Sequence, residues 1–507
     1  MLKIKENKDT FTFTIVSIIL IFTGAIIIRL YYFTFEIPIT YDSLLYLLYA
    51  NTIAELGHLP INYSLDNNGW SIFLSLFFSF FSFNSAIDVM NLQKFISLFV
   101  SSITVIPIYF LIRKFFDSKY ALIGIIIFAF EPRLIQNSLL GITEPLYILL
   151  LTITITLFLS NDKKIIYLSM VFASLSTLVR SEGLFLFIAL SVMFFVQFRK
   201  DKLVIPKYLP VIGIFLLILL PMMSYQTEIR GDDRIFSRVV NGVQTGPETY
   251  SNFVFTGIEN YIKFLIWDLI PIFIFFAPIG IILLLKNLNF RTSTILIYSI
   301  IMSLPALFAY AVPALDTRYL FFLYPGFCIM SIFTINKIVD KNKFKNYIIM
   351  IIIISIIVSS IIFIEYKKAD NHNEKEITEV AKFVVKNTNG INDYYPNSKY
   401  IKSFELINKW PNVSINPLPF EISMIPEKGT NSLNDFILSG KGKGLSHLVI
   451  DDNLNRPNYL KDIFENEEKY LFLEKIFDSK NQSLNYKVKI FKINFNEWEK
   501  SSYLEEN

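Results

Sequence analysis

The sequence predicts an α-helical polytopic membrane protein of about eleven transmembrane helices, with a small extracytoplasmic α/β domain behind them. Two observations predict it. Of 507 residues, 53% are hydrophobic, 50 are Phe and 27 are Tyr, and the mean hydropathy is +0.47, too apolar for a soluble protein of ordinary composition. The second observation is how the ionisable residues sort around long apolar segments. Lysine-rich turns fall at every second junction: Lys3, Lys5 and Lys8, then Arg113/Lys114/Lys119, Lys163/Lys164, Arg199/Lys200/Lys202, Lys286/Arg291 and Lys337/Lys341/Lys343/Lys345. Short cytoplasmic loops carry such an excess, so these mark the inner face. The junctions between them hold Asp42, Glu131 with Arg133, Glu144, Arg180 with Glu182, Arg230 to Arg234, and Asp316 with Arg318. These mark the outer one.

A helix crosses a bilayer in about 20 apolar residues. On that ruler the spans fall near 11–33, 93–112, 120–138, 143–160, 165–179, 183–198, 208–225, 263–285, 293–313, 319–337 and 346–364. The N-terminus has the basic start of a signal peptide, but its apolar run is longer than the roughly 7–15 residues of an h-region, so it reads as a retained first helix. Trp70 to Phe83 must be excluded as a crossing, or Arg113, Lys114 and Lys119 would land outside; its length of about 14 residues suits a re-entrant or interfacial segment. Residues 34–92 then form one large outer loop. Within it Leu45, Leu48, Tyr49, Thr52 and Leu56 recur at helical spacing, an amphipathic pattern for a surface helix from Asp42 that ends at Gly57.

After Ile364 the chain turns polar, so residues 1–364 read as the transmembrane domain and 365–507 as a separate one. Glu374 to Lys386 reads as a helix with Ile377, Val380, Ala381 and Val384 on one face, Leu445 to Ile450 as a buried strand, Tyr459 to Phe477 as a helical stretch and Tyr486 to Phe495 as a strand. With an inside N-terminus and an odd number of spans, this domain lies outside the cell membrane. The protein is expected to be a multi-pass protein of the plasma membrane.

Composition also excludes function classes. The net charge is only +4, and its excess Lys sits in short loops, where the anionic lipids of the inner leaflet are partner enough; nucleic acid is not called for. The single cysteine, Cys328, lies in an apolar run and forms no internal disulfide. His58, His372 and His447 are scattered, which argues against a histidine-based metal centre.

Asp42 is the sharpest candidate for chemistry. It follows the first helix by a few residues and opens an amphipathic one, so its carboxylate would stand at the water–membrane boundary and accept a proton from a hydroxyl. An N-cap role explains the same residue equally well. Glu131-Pro132-Arg133 and Thr143-Glu144-Pro145-Leu146-Tyr147 flank the turn between the third and fourth spans; an acid before proline also suits a helix first turn. Arg180-Ser181-Glu182-Gly183 and Asp316-Thr317-Arg318-Tyr319 lie at later outer junctions. Arginine's planar fork matches a phosphate, although each acid–arginine pair can equally satisfy itself. Arg29, near the outer end of the first helix, can simply snorkel.

An acid in the first outer loop, the E-P-R turn followed by T-E-P-L-Y, the R-S-E-G corner and D-T-R-Y at a later helix start together resemble membrane glycosyltransferases of the GT-C fold. The group looks like the dolichyl-phosphate-mannose protein mannosyltransferase relatives of archaea and bacteria, which include aminoarabinose transferases; the likeness covers about residues 10–340. It implies transfer of a sugar, a mannose-like hexose, from a polyprenyl- or dolichyl-phosphate donor to a protein or lipid hydroxyl on the outer face. The family's catalytic acids would fall on Asp42 and Glu144, and its phosphate-side arginine on Arg318; Arg133, Arg180, Glu182 and Tyr319 complete the candidate substrate-binding set. Tyr-Asp-Ser stands where many relatives show paired acids, so a divalent cation is left open. The W-W-D-Y-G signature of oligosaccharyltransferases is absent, which disfavours en bloc glycan transfer. A transporter or flippase for a lipid-linked or anionic substrate is the competing reading, but transporters place charges near the midplane and carry repeats. Here the charges sit at one end of the spans, and no repeat is found.

Overall fold

The computed structural model describes residues 8–61, 65–81, 83–238, 240–241, 252–312, 315–387, 400–409, 432–442, 444–453 and 456–505. Lys3 and Lys5 lie outside them. The chain divides into two compact units: one of Met1–Phe33, Tyr46–Ser82 and Leu92–Glu365, the other of Thr34–Leu45, Phe83–Asn91 and Tyr366–Asn507. Two stretches of the 34–92 loop, grouped by the sequence with the transmembrane domain, thus cluster with the C-terminal residues. Ile37 shows why: it is buried among Ile377, Val380, Val449 and Ile490.

In the first unit α1 (Lys8–Tyr31) exposes Phe11, Phe13, Ile15, Val16, Ile19 and Leu20, the surface of a helix solvated by lipid. Arg29 does not snorkel. It is fully buried and donates to the carbonyls of Ala25 and Ala129 at 3.0 Å each and to Ser101 Oγ at 3.2 Å. A fixed fork that reaches three acceptors inside the bundle outweighs the short path to water. The helix α2 (Tyr41–Leu56) ends, as expected, at Gly57, whose φ of +72° only glycine adopts cheaply. Along it Ser43, Leu44, Leu47, Leu48, Tyr49, Ala50 and Thr52 are buried, while Leu56 is exposed. The apolar stretch after it forms α3 (Gly69–Phe78), ten residues long and therefore about 15 Å, half a bilayer core. Trp70, at its start, is fully buried and donates to the Gly141 carbonyl at 3.1 Å.

The expected span 93–112 forms α4 (Ala86–Ile103) and α5 (Val105–Ile112). The span 120–138 is not one helix: α6 (Ser118–Ala129) stops and α7 (Pro132–Ser138) restarts. Glu131, held extended before Pro132, caps the new segment by accepting from the Arg133 amide at 3.4 Å. Four helices follow, α8 (Glu144–Phe158), α9 (Lys163–Val179), α10 (Gly183–Gln197) and α11 (Val204–Arg230). The span 263–285 begins earlier and also breaks, into α12 (Phe253–Leu269), a 3₁₀ turn at Phe273–Phe275 and α13 (Ala277–Lys286). Pro271 cannot donate, and the ladder is interrupted there. The bundle continues with α14 (Phe290–Ala311), a 3₁₀ segment Thr317–Leu323, and α15 (Tyr324–Asp340). Among the described residues six helices are long and apolar enough to cross a membrane, fewer than the eleven spans of the sequence. Shorter apolar helices, among them α6, α8 and α10, fall on further expected spans, with much of their surface packed against neighbours.

The last apolar span runs on without interruption as α16 (Lys345–Asn387), 43 residues. In the second unit its Ile377, Val380, Ala381 and Val384, the face the sequence predicts, pack against Val449, Val488 and Ile490. The sheet is antiparallel in the order β1–β3–β2, with β1 His447–Asp451, β2 Leu473–Asp478 and β3 Val488–Ile493. Leu448 and Ile450 face a second core with Phe436, Ile437, Leu460 and Phe491, so β1 is buried on both faces, which explains its continuous apolar run. Helices α17 (Ile401–Lys409) and α18 (Leu433–Lys441) precede the sheet, and α20 (Phe495–Glu505) ends the chain. The stretch Tyr459 to Phe477 is not one helix. After α19 (Asn458–Glu465) the chain turns through Glu467–Lys469 into β2. Asp462 anchors that turn, accepting from Tyr470 Oη at 2.5 Å and Asn466 Nδ2 at 2.6 Å; these bonds hold its carboxyl below the usual range.

Candidate active site

Arg180 ends α9, and the Arg180-Ser181-Glu182 corner turns the chain into α10. Its Nη1 reaches Glu144 Oε1 at 2.5 Å and its Nη2 reaches Glu182 Oε1 at 2.8 Å. Glu144 opens α8 behind Thr143, whose hydroxyl lies 3.5 Å from Glu144 Oε2 and 3.4 Å from Arg180 Nη1. Proline at the second helical position keeps that first turn without a lost donor. The Tyr147 ring, one turn further along, lies 5.9 Å from the Arg180 guanidinium. The Glu144 side chain is only 4% exposed and that of Arg180 15%, so the corner is nearly dry.

Arg318 approaches the same place from the 3₁₀ segment. Asp316 accepts from the Arg318 amide at 2.9 Å and from its Nε at 2.7 Å, which caps the segment and sets the direction of the guanidinium in one motif. Glu144, Tyr147, Arg180, Glu182, Arg318 and Tyr319 line one cleft, closed by Pro305, Ala306, Phe321 and Phe322. Five of the seven residues singled out by the sequence therefore converge. Each arginine is satisfied by its own carboxylates, as a purely structural pair would be. Structural pairing alone, however, does not require that two such arginines from separate junctions share one cleft.

Arg133 stands apart, in a second buried cluster. Its Nε lies 3.4 Å from Asp268 Oδ1 and its Nη1 3.7 Å from Glu131 Oε1. It donates to the carbonyls of Trp267, at 2.6 Å, and Ile270, and its guanidinium packs against the Trp267 and Phe363 rings. Both breaks in the bundle, between α6 and α7 and between α12 and α13, are pinned by this one side chain. Removing one partner of a buried charge group costs about 3–5 kcal/mol. Arg133→Met is expected to lose about that much, read as a lower melting temperature in detergent, while donor affinity of the folded fraction stays unchanged. Normal melting with lost donor affinity would instead place Arg133 in the substrate site.

Asp42 belongs to the other unit. It is exposed in the first turn of α2. The helix begins one residue earlier, with the Leu44 amide bonded to the Thr40 carbonyl at 2.9 Å, so Asp42 does not occupy the N-cap position. Among the described residues no three His, Cys, Asp or Glu side chains come together in a way that could hold a metal ion, and the cleft's two carboxylates are both bonded to Arg180.

No protein-family model matches the chain, and no curated protein matches it. Solved structures do. The oligosaccharyltransferase of Archaeoglobus fulgidus, crystallised with Zn and sulfate, shares 14% identity at a TM-score of 0.53, over 86% of this chain and 67% of that one. Its apo form gives 12% and 0.56 over 89% and 71%. The oligosaccharyltransferase AglB from Archaeoglobus fulgidus in complex with an inhibitory peptide and a dolichol-phosphate gives 13% and 0.53 over 90% and 72%. The fold is GT-C.

Within the GT-C bundle two residues escaped the sequence-based set. Tyr147, in the T-E-P-L-Y motif, lines the cleft with a buried hydroxyl that has no hydrogen-bond partner among the described residues. Asp268 is fully buried near the end of α12. A lone acid inside an apolar run was its visible signal.

Proposed function

We propose that the protein is a membrane glycosyltransferase that moves a sugar, a mannose-like hexose, from a polyprenyl- or dolichyl-phosphate donor to a hydroxyl of a protein or lipid on the outer face of the plasma membrane. The convergence of Arg180 and Arg318 on one cleft carries the reading. The GT-C fold supports it, as do the dolichol-phosphate and the acceptor peptide bound in structures of the archaeal oligosaccharyltransferase. In the reaction the acceptor oxygen bonds to the anomeric carbon, the bond from that carbon to the phosphate oxygen breaks, and the lipid phosphate leaves with the electron pair. Arg318 and Arg180 stabilise the charge that develops on the phosphate. Asp42 takes the proton of the acceptor hydroxyl, and Glu144 with Glu182 holds Arg180 in place. Incubating membranes with radiolabelled polyprenyl-phospho-sugars tests this: label should move to protein or lipid. Label that crosses the bilayer still attached to its lipid would support a flippase instead.

The orientation in this reading has the N-terminus cytoplasmic and residues 365–507 outside. Cysteines placed at Ser118 and Asn342 should resist an impermeant thiol reagent in intact cells, and one at Asn481, which is exposed, should react. The native Cys328 is buried and should not obscure the result. Labelling at Ser118 from outside would mean that Trp70 to Phe83 crosses the membrane.

A further inference from the structure

A groove at the lysine-rich end of the bundle is lined by Phe11, Ile15 and Ile18 of α1, Phe110 of α5, and Ile153 and Leu157 of α8. Thr156 and Ser160 add polar atoms, and Arg113 and Lys114 stand at its end. A third cation joins them, because Arg291 donates to the Lys114 carbonyl. Arg113 donates to the Phe116 carbonyl at 3.0 Å. Neither Lys114 nor Arg291 makes an ion pair among the described residues. Lys114 and Arg291, two neighbouring cations with no ion pair among the described residues, attract an anion, and basic pockets between helices bind acidic lipid headgroups. An apolar trough that runs from such a cluster along three helices matches the other half of that molecule.

We propose that this groove is a specific site for an anionic glycerophospholipid, its acyl chains against α1, α5 and α8 and its phosphate on Lys114 and Arg291. The site is separate from the cleft of Arg180 and Arg318, and its test does not depend on sugar transfer. Protein extracted from bilayers of equal phosphatidylglycerol and phosphatidylcholine should retain phosphatidylglycerol in clear excess by native mass spectrometry. Lys114→Gln and Arg291→Gln should each lower that excess roughly fivefold, the change expected of about 1 kcal/mol per cation. Ile15→Trp, at a residue 42% exposed, fills the trough without touching the cations and should reduce retention of both lipids. Equal retention of the two lipids by the wild type, or unchanged retention in all three variants, would overturn the proposal. Should a charge variant fail to fold, Ile15→Trp with unaltered phosphatidylglycerol retention would do the same.

Discussion

Asp42→Asn is expected to lose sugar transfer by roughly 10²-fold or more while expression and melting temperature stay near wild type. The two halves of that expectation rest on different observations. Loss of turnover follows from the chemistry: an amide keeps the shape of the carboxylate but cannot take the proton that an acceptor hydroxyl must release. Unchanged stability follows from the fold. Asp42 is exposed in the first turn of α2, and Thr40 rather than Asp42 precedes that helix, so Asp42 is not its N-cap, and asparagine keeps the side chain's shape and an amide oxygen that still accepts. A first-turn acid also interacts with the helix dipole, worth about 0.3–1 kcal/mol at a surface, too small to mimic a catalytic loss. Turnover should be measured on purified protein with saturating donor. Near-normal turnover would remove Asp42 as the base and leave Glu144 as the next candidate.

Much of the cleft was legible in the chain because charge in a membrane protein is sparse and positioned. Arg180, Glu182, Glu144, Arg318 and Tyr319 stood out as ionisable or aromatic residues at span ends, and the fold gathers them. Only their long-range partners were not legible. Local sequence suggests that Glu131 pairs with Arg133 and Asp316 with Arg318, but Glu144 bonds to an arginine 36 residues away, and Arg133 to Asp268 still farther along. Span bounds were less legible than the spans themselves, because some expected spans are broken or shorter helices. Hydropathy reports total apolar content, so it reads through the breaks at Glu131-Pro132 and Pro271, where prolines remove a donor and side chains such as Arg133 satisfy the exposed carbonyls. Arg29 misled for a related reason: position near a helix end suggests snorkelling, whereas Ser101 and the Ala129 carbonyl offer buried acceptors that only the tertiary structure supplies. In the second unit, alternation identified β3 well, but a helical period carried over Asn466 hid the turn into β2.

Arg318→Lys separates charge from geometry at the donor site. The Asp316 carboxylate bonds both the backbone amide and Nε of Arg318, which sets the direction of a guanidinium that lines one cleft with Arg180. The Arg318 side chain is 30% exposed, compared with 15% for Arg180. Of the two arginines, Arg318 is therefore better placed to meet an incoming phosphate. Lysine keeps the positive charge but replaces the planar fork with a point donor. A hydrogen bond to a charged group is worth about 1.5–3 kcal/mol, so donor affinity should fall roughly tenfold or more, while the Asp316 carboxylate still accepts from the backbone amide and the melting temperature barely changes. Arg318→Ala should lose more, since the charge goes too. Equilibrium binding of a polyprenyl-phospho-sugar to both variants measures this directly. If both bind donor like the wild type, the phosphate does not rest on Arg318, and Arg180, freed from Glu144 by a Glu144→Gln substitution, becomes the residue to test.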